Sequence, residues 1–421
     1  MQLCIFEDTD CMNFEPLAYS RPVFDLVCGI NTLREKILRE YPKIKYNLVC
    51  RDYIAPVVKL QNPGVNVNLL EEDSYLFING SVISSNELRK SVPLRNKNDI
   101  VYKSDDKVIS AFITGETFAK IKSLINGPLD GSAFNGLPVK DVKIKHASYI
   151  WDLINANGEE IKNDFNRLSA DLKGKKKLSG KISEGVHLVA KKNIVVERGA
   201  EIKHGAVIDA SGGPVYIAKN SVVYHNAVII GPAFIGPNSQ VKSGAFIHDN
   251  VSVCGTCKIG GEVEDTVFLP FSNKQHSGFI GHAYIGSWVN LGADTNCSDL
   301  KNNYGIITAS VNGKSVNTGS QFLGLIMGDH SKSAINTMFN TGTNVGFSSN
   351  IFGSGFPKKF IPSFSWAGDN TSEVYKLEKA LDTAKKVMGR RNKQMSEEEE
   401  TLFSHIFEMT KDERRIREYP D

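Results

Sequence analysis

The sequence predicts an α/β domain, then a parallel β-helix, then a helical tail. Strand-like apolar runs alternate with helical patterns at the start, as in an α/β layer architecture. From Val196 an aliphatic residue recurs every six positions, apart from a three-residue insertion at SGGP between Ile208 and Ile217. That period suits neither an α-helix nor one amphipathic strand, but it suits a coil of short strands with one inward residue per step. Beyond residue 368 the apolar spacing becomes that of amphipathic helices.

In chain order, LCIF (3–6), YNLVC (46–50), YLFING (75–80) and VISAFITG (108–115) read as buried strands. Thr32 and Glu35 make a capping box, and Leu33, Ile37 and Leu38 share a face of the helix that follows. An amphipathic stretch at 151–165 leads to the basic run KGKKK (173–177), which reads as a solvated linker. The expected division is an α/β domain at 1–165, a linker at 166–181, the β-helix at 182–368 and the helical tail at 369–421.

The hexads run through Val196, Ile202, Ile208, Ile217, Val223, Ile229, Ile235, Val241, Ile247, Val253 and Ile259. Small residues such as Ala200, Ala206, Ser221, Ala227 and Cys257 fall four positions later, where a tight corner has little room. Gly236 and Gly260 are expected to supply unusual corner dihedrals. The stretch NKQHSGFIGH (273–282) is read as breaking step. The pattern resumes at Ile280, Ile285 and Leu291, and more loosely at Met327, Ser333, Phe339, Val345 and Ile351. The interruption before Met327 contains V-N-G-K, a hairpin signal. In the tail, Val374, Leu377, Leu381 and Met388 are expected on one helix face, and Ser396 with Glu399 caps a last helix. The tail is expected to cap the solenoid's open end.

A chain of 421 residues exceeds one ordinary core, and 41% apolar with 23% charged residues is a globular composition. A net charge of +3 gives no footprint for nucleic acid. The start MQLCIFEDTD has no basic n-region, and no segment approaches the roughly 20 apolar residues of a membrane span, so a cytoplasmic protein without a membrane partner is expected. The seven scattered cysteines suit reduced thiols. Cys254 and Cys257 form a lone C-x-x-C that reads as structural, with no metal site expected.

With SNKQHSGFIGHAYIGSWVNLGADTN in the hexad region, PLAYSRP near the start, IWDL before the linker and FLGLIMGDHSKSAINTMFNTGTNVG later, the chain resembles a known family. It is similar to the bifunctional glucosamine-1-phosphate N-acetyltransferase/N-acetylglucosamine-1-phosphate uridyltransferase, in an alternative bacterial branch described as sugar nucleotidyltransferases. The resemblance implies a nucleotidyltransferase-like α/β domain, a left-handed β-helix acting as acyltransferase, and a homotrimer with the acyl site between solenoids. A five-residue step from Ile280 to Ile285 followed by Val289-Asn290-Leu291-Gly292-Ala293 matches the family's pattern and sets His276 in the place of the catalytic base.

A neutral imidazole suits removal of the amine proton during acyl transfer from a thioester. His282 and His330 are weaker candidates, and other histidines fall at outward positions. The resemblance further makes Asn290 a partner of the sugar or acetyl group, Ala293 a backbone contact near the thioester, and Asn303 with Tyr304 a substrate-facing pair. Lys274 is expected to hold a sugar phosphate, and Lys358 and Lys359 to meet the phosphates of acetyl-CoA.

This sequence also departs from the family. Phe279 replaces its tyrosine, Asp294 a glycine, and the upstream basic residues that hold the sugar phosphate have no match in GGEVEDTVFLPF. In the amino-terminal half the Gly-rich loop is replaced by EDTDCMNFEPLAYSRP, and N-G-D by Asn79-Gly80-Ser81, a poorer Mg²⁺ site. Asn79, Gly80 and Arg21 remain the candidates for sugar phosphate and nucleoside triphosphate there, with Mg²⁺ if that domain is active. The residues leave two other readings open: a nucleotidyltransferase whose β-helix only trimerises it, and a non-catalytic sugar-nucleotide-binding scaffold.

Overall fold

The computed structural model describes residues 1–71, 74–83, 86–125, 127–171, 177–368 and 372–415. The basic run KGKKK, apart from Lys177, lies outside the described residues.

The first half is built on a seven-stranded sheet. In spatial order its strands are Asn66–Val67, Tyr46–Val49, Gln2–Phe6, Ser74–Asn79, Lys107–Thr114, Ile100–Ser104 and Val139–Asp141. The first four pair in parallel, and Lys107–Thr114 runs antiparallel to its neighbours on both sides. The four strands read from sequence are all present. The Thr32/Glu35 capping box starts the helix Leu33–Glu40.

After Gln2–Phe6 the chain makes three short 3-10 turns instead of a phosphate-cradling loop. Buried Glu7 fixes them: its carboxylate accepts from Arg51 Nη2 (2.9 Å) and Nε (3.1 Å) and from the backbone N–H groups of Val23 and Arg51.

The second half is a left-handed parallel β-helix with three faces: sheets of eight and nine strands, and a six-stranded sheet that continues through Asn290 into a four-stranded one. All eleven hexad aliphatics from Val196 to Ile259 are 0% exposed, and their rungs repeat from coil to coil: Val223 pairs with Val241 and Val241 with Ile259. Each inward Val or Ile stabilises the coil by roughly 1.5–3 kcal/mol. The corners differ from expectation. Left-handed φ is taken by Asn220, Asn226, Asn238 and Asn250 and by Gly199, Gly205 and Gly244, immediately before the small corner residue or the next strand. Asn and Gly tolerate that region best. Gly236 and Gly260 are required for space instead: a Cβ would lie 2.6 Å from the Cys254 carbonyl carbon and 2.4 Å from the Gln275 oxygen.

NKQHSGFIGH does not break step. The coil before it is shortened: Val263 and Phe268 are inward positions, pairing with Ile280 and Ile285. The V-N-G-K hairpin is present, with Thr308–Val311 paired to Lys314–Asn317 across Asn312 and Gly313, both at positive φ.

The helix Ile150–Asp171 locks the halves together. Asn157 accepts from the Gly29 N–H (2.7 Å) and donates to the Asn250 carbonyl (2.7 Å), while Ser252 Oγ donates to the Gly29 carbonyl (2.7 Å). Only glycine fits at 29, where φ is +83° and a Cβ would stand 2.7 Å from the Glu160 carbonyl.

The tail departs from its expected place. Val374 belongs to the strand Ser372–Val374, half exposed, which pairs antiparallel with Ser365–Ala367 and closes that sheet edge. The helices Leu377–Gly389 and Glu397–Met409, the latter with its Ser396/Glu399 box, lie sideways. Ala380, Ala384, Leu402, Phe403 and Ile406 share a core with Leu3, Val57 and Val58 of the first half and Phe347 and Phe364 of the solenoid. They bridge the two halves by burying their apolar face against both. Among the described residues no helix is long and apolar enough to cross a membrane. Cys254 and Cys257 are buried thiols, and burial pushes Cys257 up to about 12, which fits their structural reading.

Candidate active site

Lys274 takes the inward position that Ile259 holds one coil earlier. Its side chain is fully buried, and Nζ donates to the carbonyls of Gly260 (3.0 Å), His276 (2.9 Å) and Ser277 (3.1 Å). Burial pushes its pKa down to about 8, against the opposing charge of Asp294. The expected phosphate contact by Lys274 is therefore corrected, because an ammonium committed to three carbonyls inside the coil is no surface charge. Its work is to pin the turn that carries His276, whose own side chain is exposed. Replacing Lys274 by Met, which removes all three bonds, is expected to lower both Tm and kcat, the latter by about 10- to 100-fold as His276 shifts. Thermal melts and single-turnover rates check this.

The next coil supplies the neighbours. Asn273 bridges to Asn290, and Gly278 packs against the Thr295 carbonyl, so Ala293 falls on the same corner as His276. Asn290 points outward in a ladder that reads Lys258, Asn273, Asn290, Lys332. With Gln275, Trp288 and the end of the first tail helix, this ladder lines a pocket of about 310 Å³. Arg391 reaches across from the tail to donate to Asn273 Oδ1 (2.8 Å). Nothing in the sequence spacing indicated Lys258, Lys332 or Arg391, because the tail's return to this coil is a tertiary event.

Asn303 and Tyr304 are exposed on the loop before the hairpin, where the Asn303 side chain accepts from the Gly305 N–H (3.0 Å). Lys358 and Lys359 lie on the last coil, next to Phe360–Ile361, and are not among the residues lining the Asn290 pocket.

His282 stands at the other end of the strand that follows His276. Its Nδ1 lies 2.8 Å from Asp299 and its Nε2 3.7 Å from Asp265, with Phe322 stacked on the ring at 4.8 Å. Burial lowers its pKa, but the Asp299 hydrogen bond and the Asp265 charge win and raise it above the usual value. Glu264, His282 and Asp299 are the one His/Cys/Asp/Glu group among the described residues close enough to hold a metal ion. His330 is buried under aromatic neighbours, and burial holds its pKa well below the usual value.

In the first half, Asn79 donates to Asp8 Oδ2 (2.7 Å) and the Val108 carbonyl (3.0 Å). Gly80 packs on Phe24, where a Cβ would stand 2.9 Å away. Asp8, Asp10, Asn79, Lys103 and Lys107 line a pocket of about 230 Å³ at the ends of the parallel strands. Lys107 pairs with Asp8 (2.9 Å) and Asp10 (3.0 Å), so the negative charge of EDTD is partly offset by a residue that the sequence spacing does not join to it. The two carboxylates are the oxygen donors Mg²⁺ takes. Arg21 is not in this pocket. It donates to Asp329 (3.0 Å), Ser287 (3.2 Å) and the Leu17 carbonyl (3.1 Å), an ion pair facing the solenoid that leaves no charge for a nucleotide phosphate, and its assignment is corrected.

Residues 3–173 match the family described as sugar nucleotidyl transferase. A bifunctional protein GlmU from Wigglesworthia glossinidia brevipalpis is 27% identical over 44% of this chain and 36% of its own length. A bifunctional sugar-1-phosphate nucleotidylyltransferase/acetyltransferase from Sulfurisphaera tokodaii is 26% identical over 55% of this chain and 53% of its own. The chain is thus similar in part to GlmU-named and related bifunctional proteins. It spans about half or less of these two relatives. Among solved structures, the UDP-N-acetylglucosamine acyltransferase from Campylobacter jejuni aligns over 54% of this chain and 96% of its own, at 14% identity and a TM-score of 0.29.

Proposed function

We propose that the chain is a transferase of sugar-nucleotide synthesis. In this reading residues 182–368 move an acetyl group from acetyl-CoA to the amine of a hexosamine 1-phosphate, and residues 1–165 join the sugar phosphate to a nucleotide with Mg²⁺. The observation that carries the reading is the exposed His276 on a turn pinned by Lys274, one coil below Ala293 and beside the Asn290 pocket. An exposed imidazole on a fixed backbone can accept the amine proton as the new C–N bond forms, and Asn290 can orient the acceptor. The protein is proposed to act as a homotrimer, a reading supported by exposed Val189 and Phe246 on the eight-stranded face.

For the first half, the proposed role of Asp8 and Asp10 is to hold the metal, with Asn79 positioning Asp8 and Lys107 balancing their charge. When bound, Mg²⁺ supplies charge neutralisation at the phosphates. Incubating the full chain with Mg²⁺, nucleoside triphosphates and hexosamine 1-phosphates should release pyrophosphate, and Asp8→Asn should abolish it. Absence of pyrophosphate with every pair leaves this half a binding domain.

A second reading makes His282 the base, favoured by its Asp299 partner, which His276 lacks among the hydrogen bonds seen. Because its pKa is raised, the neutral form would predominate only above the ordinary histidine range, and rate should rise with pH until that value is passed. Asp299→Asn should then move the limb to lower pH. An unmoved limb rejects His282.

A further inference from the structure

The pocket around Asn290 carries a charge that the acyl-transfer roles do not use. Lys258, Lys332, Arg390 and Arg391 line it, together with Asn273, Gln275, Asn290, Trp288 and Val387, and no carboxylate is among the lining residues. Four cations around about 310 Å³ contrast with a whole chain of only +3. A concave wall of one sign concentrates the field and recruits the opposite charge.

The cations are held in place. Lys258 and Lys332 are rungs of one ladder, two coils of which are spaced by Asn273 and Asn290. Lys332 Nζ donates to the His330 carbonyl, one of its three N–H bonds, and burial holds its pKa down to about 8. Arg391 is tied to Asn273. Lys258 feels its neighbours: burial, then Arg391, Lys242 and Arg390, lower its pKa. These groups repel one another, and an anion relieves all of them at once.

We propose that this pocket binds a phosphate ester, with Arg390 and Arg391 from the tail and Lys258 and Lys332 from the solenoid as its ligands and the amides of Asn273, Gln275 and Asn290 as neutral donors. The pocket is too small for a macromolecule and of a size for one phosphorylated group. It rests on the transferase reading only in supposing that the phosphate belongs to a substrate, either the nucleotide end of the acyl donor or the sugar phosphate.

Binding is measured directly on the full chain by calorimetry, without turnover, so that loss of the acyl-transfer reading and loss of this one stay separate. The probes are adenosine 3′,5′-bisphosphate, glucosamine 1-phosphate and inorganic phosphate. The parent should bind at least one of the two organic phosphates, less tightly as salt rises. Arg390→Gln with Arg391→Gln should weaken it by about 10-fold or more, as loss of charge-assisted bonds requires. Lys386→Gln, which removes a charge on the same helix paired with Asp382 at its surface, should leave it unchanged. Preference for the bisphosphate assigns the pocket to the donor, preference for glucosamine 1-phosphate to the acceptor. Failure of the parent to bind either, or equal binding by the double variant, overturns the proposal.

Discussion

A His276→Ala protein is expected to lose acyl transfer by about 10²- to 10⁴-fold, the range a positioned general base contributes. Its Tm should stay within about 1 °C of the parent's, since an exposed side chain away from caps and cores contributes little to stability. The contrast with Lys274 is the informative part. Both lie on one turn, but Lys274 holds the backbone from inside the coil while His276 presents an imidazole outside it. Loss of rate in both with loss of Tm only in the Lys274 variant separates chemistry from scaffolding. A His276→Ala protein that keeps its rate removes His276 from the mechanism.

The largest stability effect is expected at Asp164. Its carboxylate accepts from the Ile30 N–H (2.9 Å), Lys36 Nζ (2.7 Å) and Arg39 Nη1 (2.9 Å), and both Lys36 and Asp164 are almost wholly buried. Asp164→Ala leaves the Lys36 ammonium with Glu160 as its remaining carboxylate and strands the Ile30 N–H. Breaking a buried pair of this kind costs about 3–5 kcal/mol, read as a shift in urea midpoint. Burial pushes the Asp164 carboxyl up, but Lys36 and then Arg39 and the Ile30 N–H outweigh it, and the net pKa is lowered. The stability this contributes is complete above the unfolded carboxyl value of about 3.9 and is lost as pH falls through the lowered folded value. The parent should therefore show a steeper acid limb below about pH 4 than the variant.

What was legible in the sequence follows the physics of each element. The hexads were readable because every inward position from Val196 to Ile259 is aliphatic and wholly buried. They faded where Lys274 stands inward and where the coil shortens between Ile259 and Phe268, because a lysine bonded to carbonyls carries no apolar signal. His276, Asn290 and Ala293 were findable by resemblance, and the coil brings them to neighbouring positions. Arg391 on Asn273 and Lys107 on Asp8 were not findable, since each joins segments about a hundred residues apart that only the folded chain brings together. Arg21 shows the reverse error: the preserved PLAYSRP suggested a nucleotide contact, but Asp329, supplied by the other half, claims the guanidinium.

The most direct test is whether the purified full-length chain, given acetyl-CoA and a panel of hexosamine 1-phosphates, forms a product heavier by one acetyl group. Mass spectrometry of the sugar pool, run beside the His276→Ala protein, reads it. The account predicts an N-acetylated hexosamine phosphate with free coenzyme A released in equal amount, and its loss in the variant. No acetylated sugar from any member of the panel, or the same yield from both proteins, would contradict it.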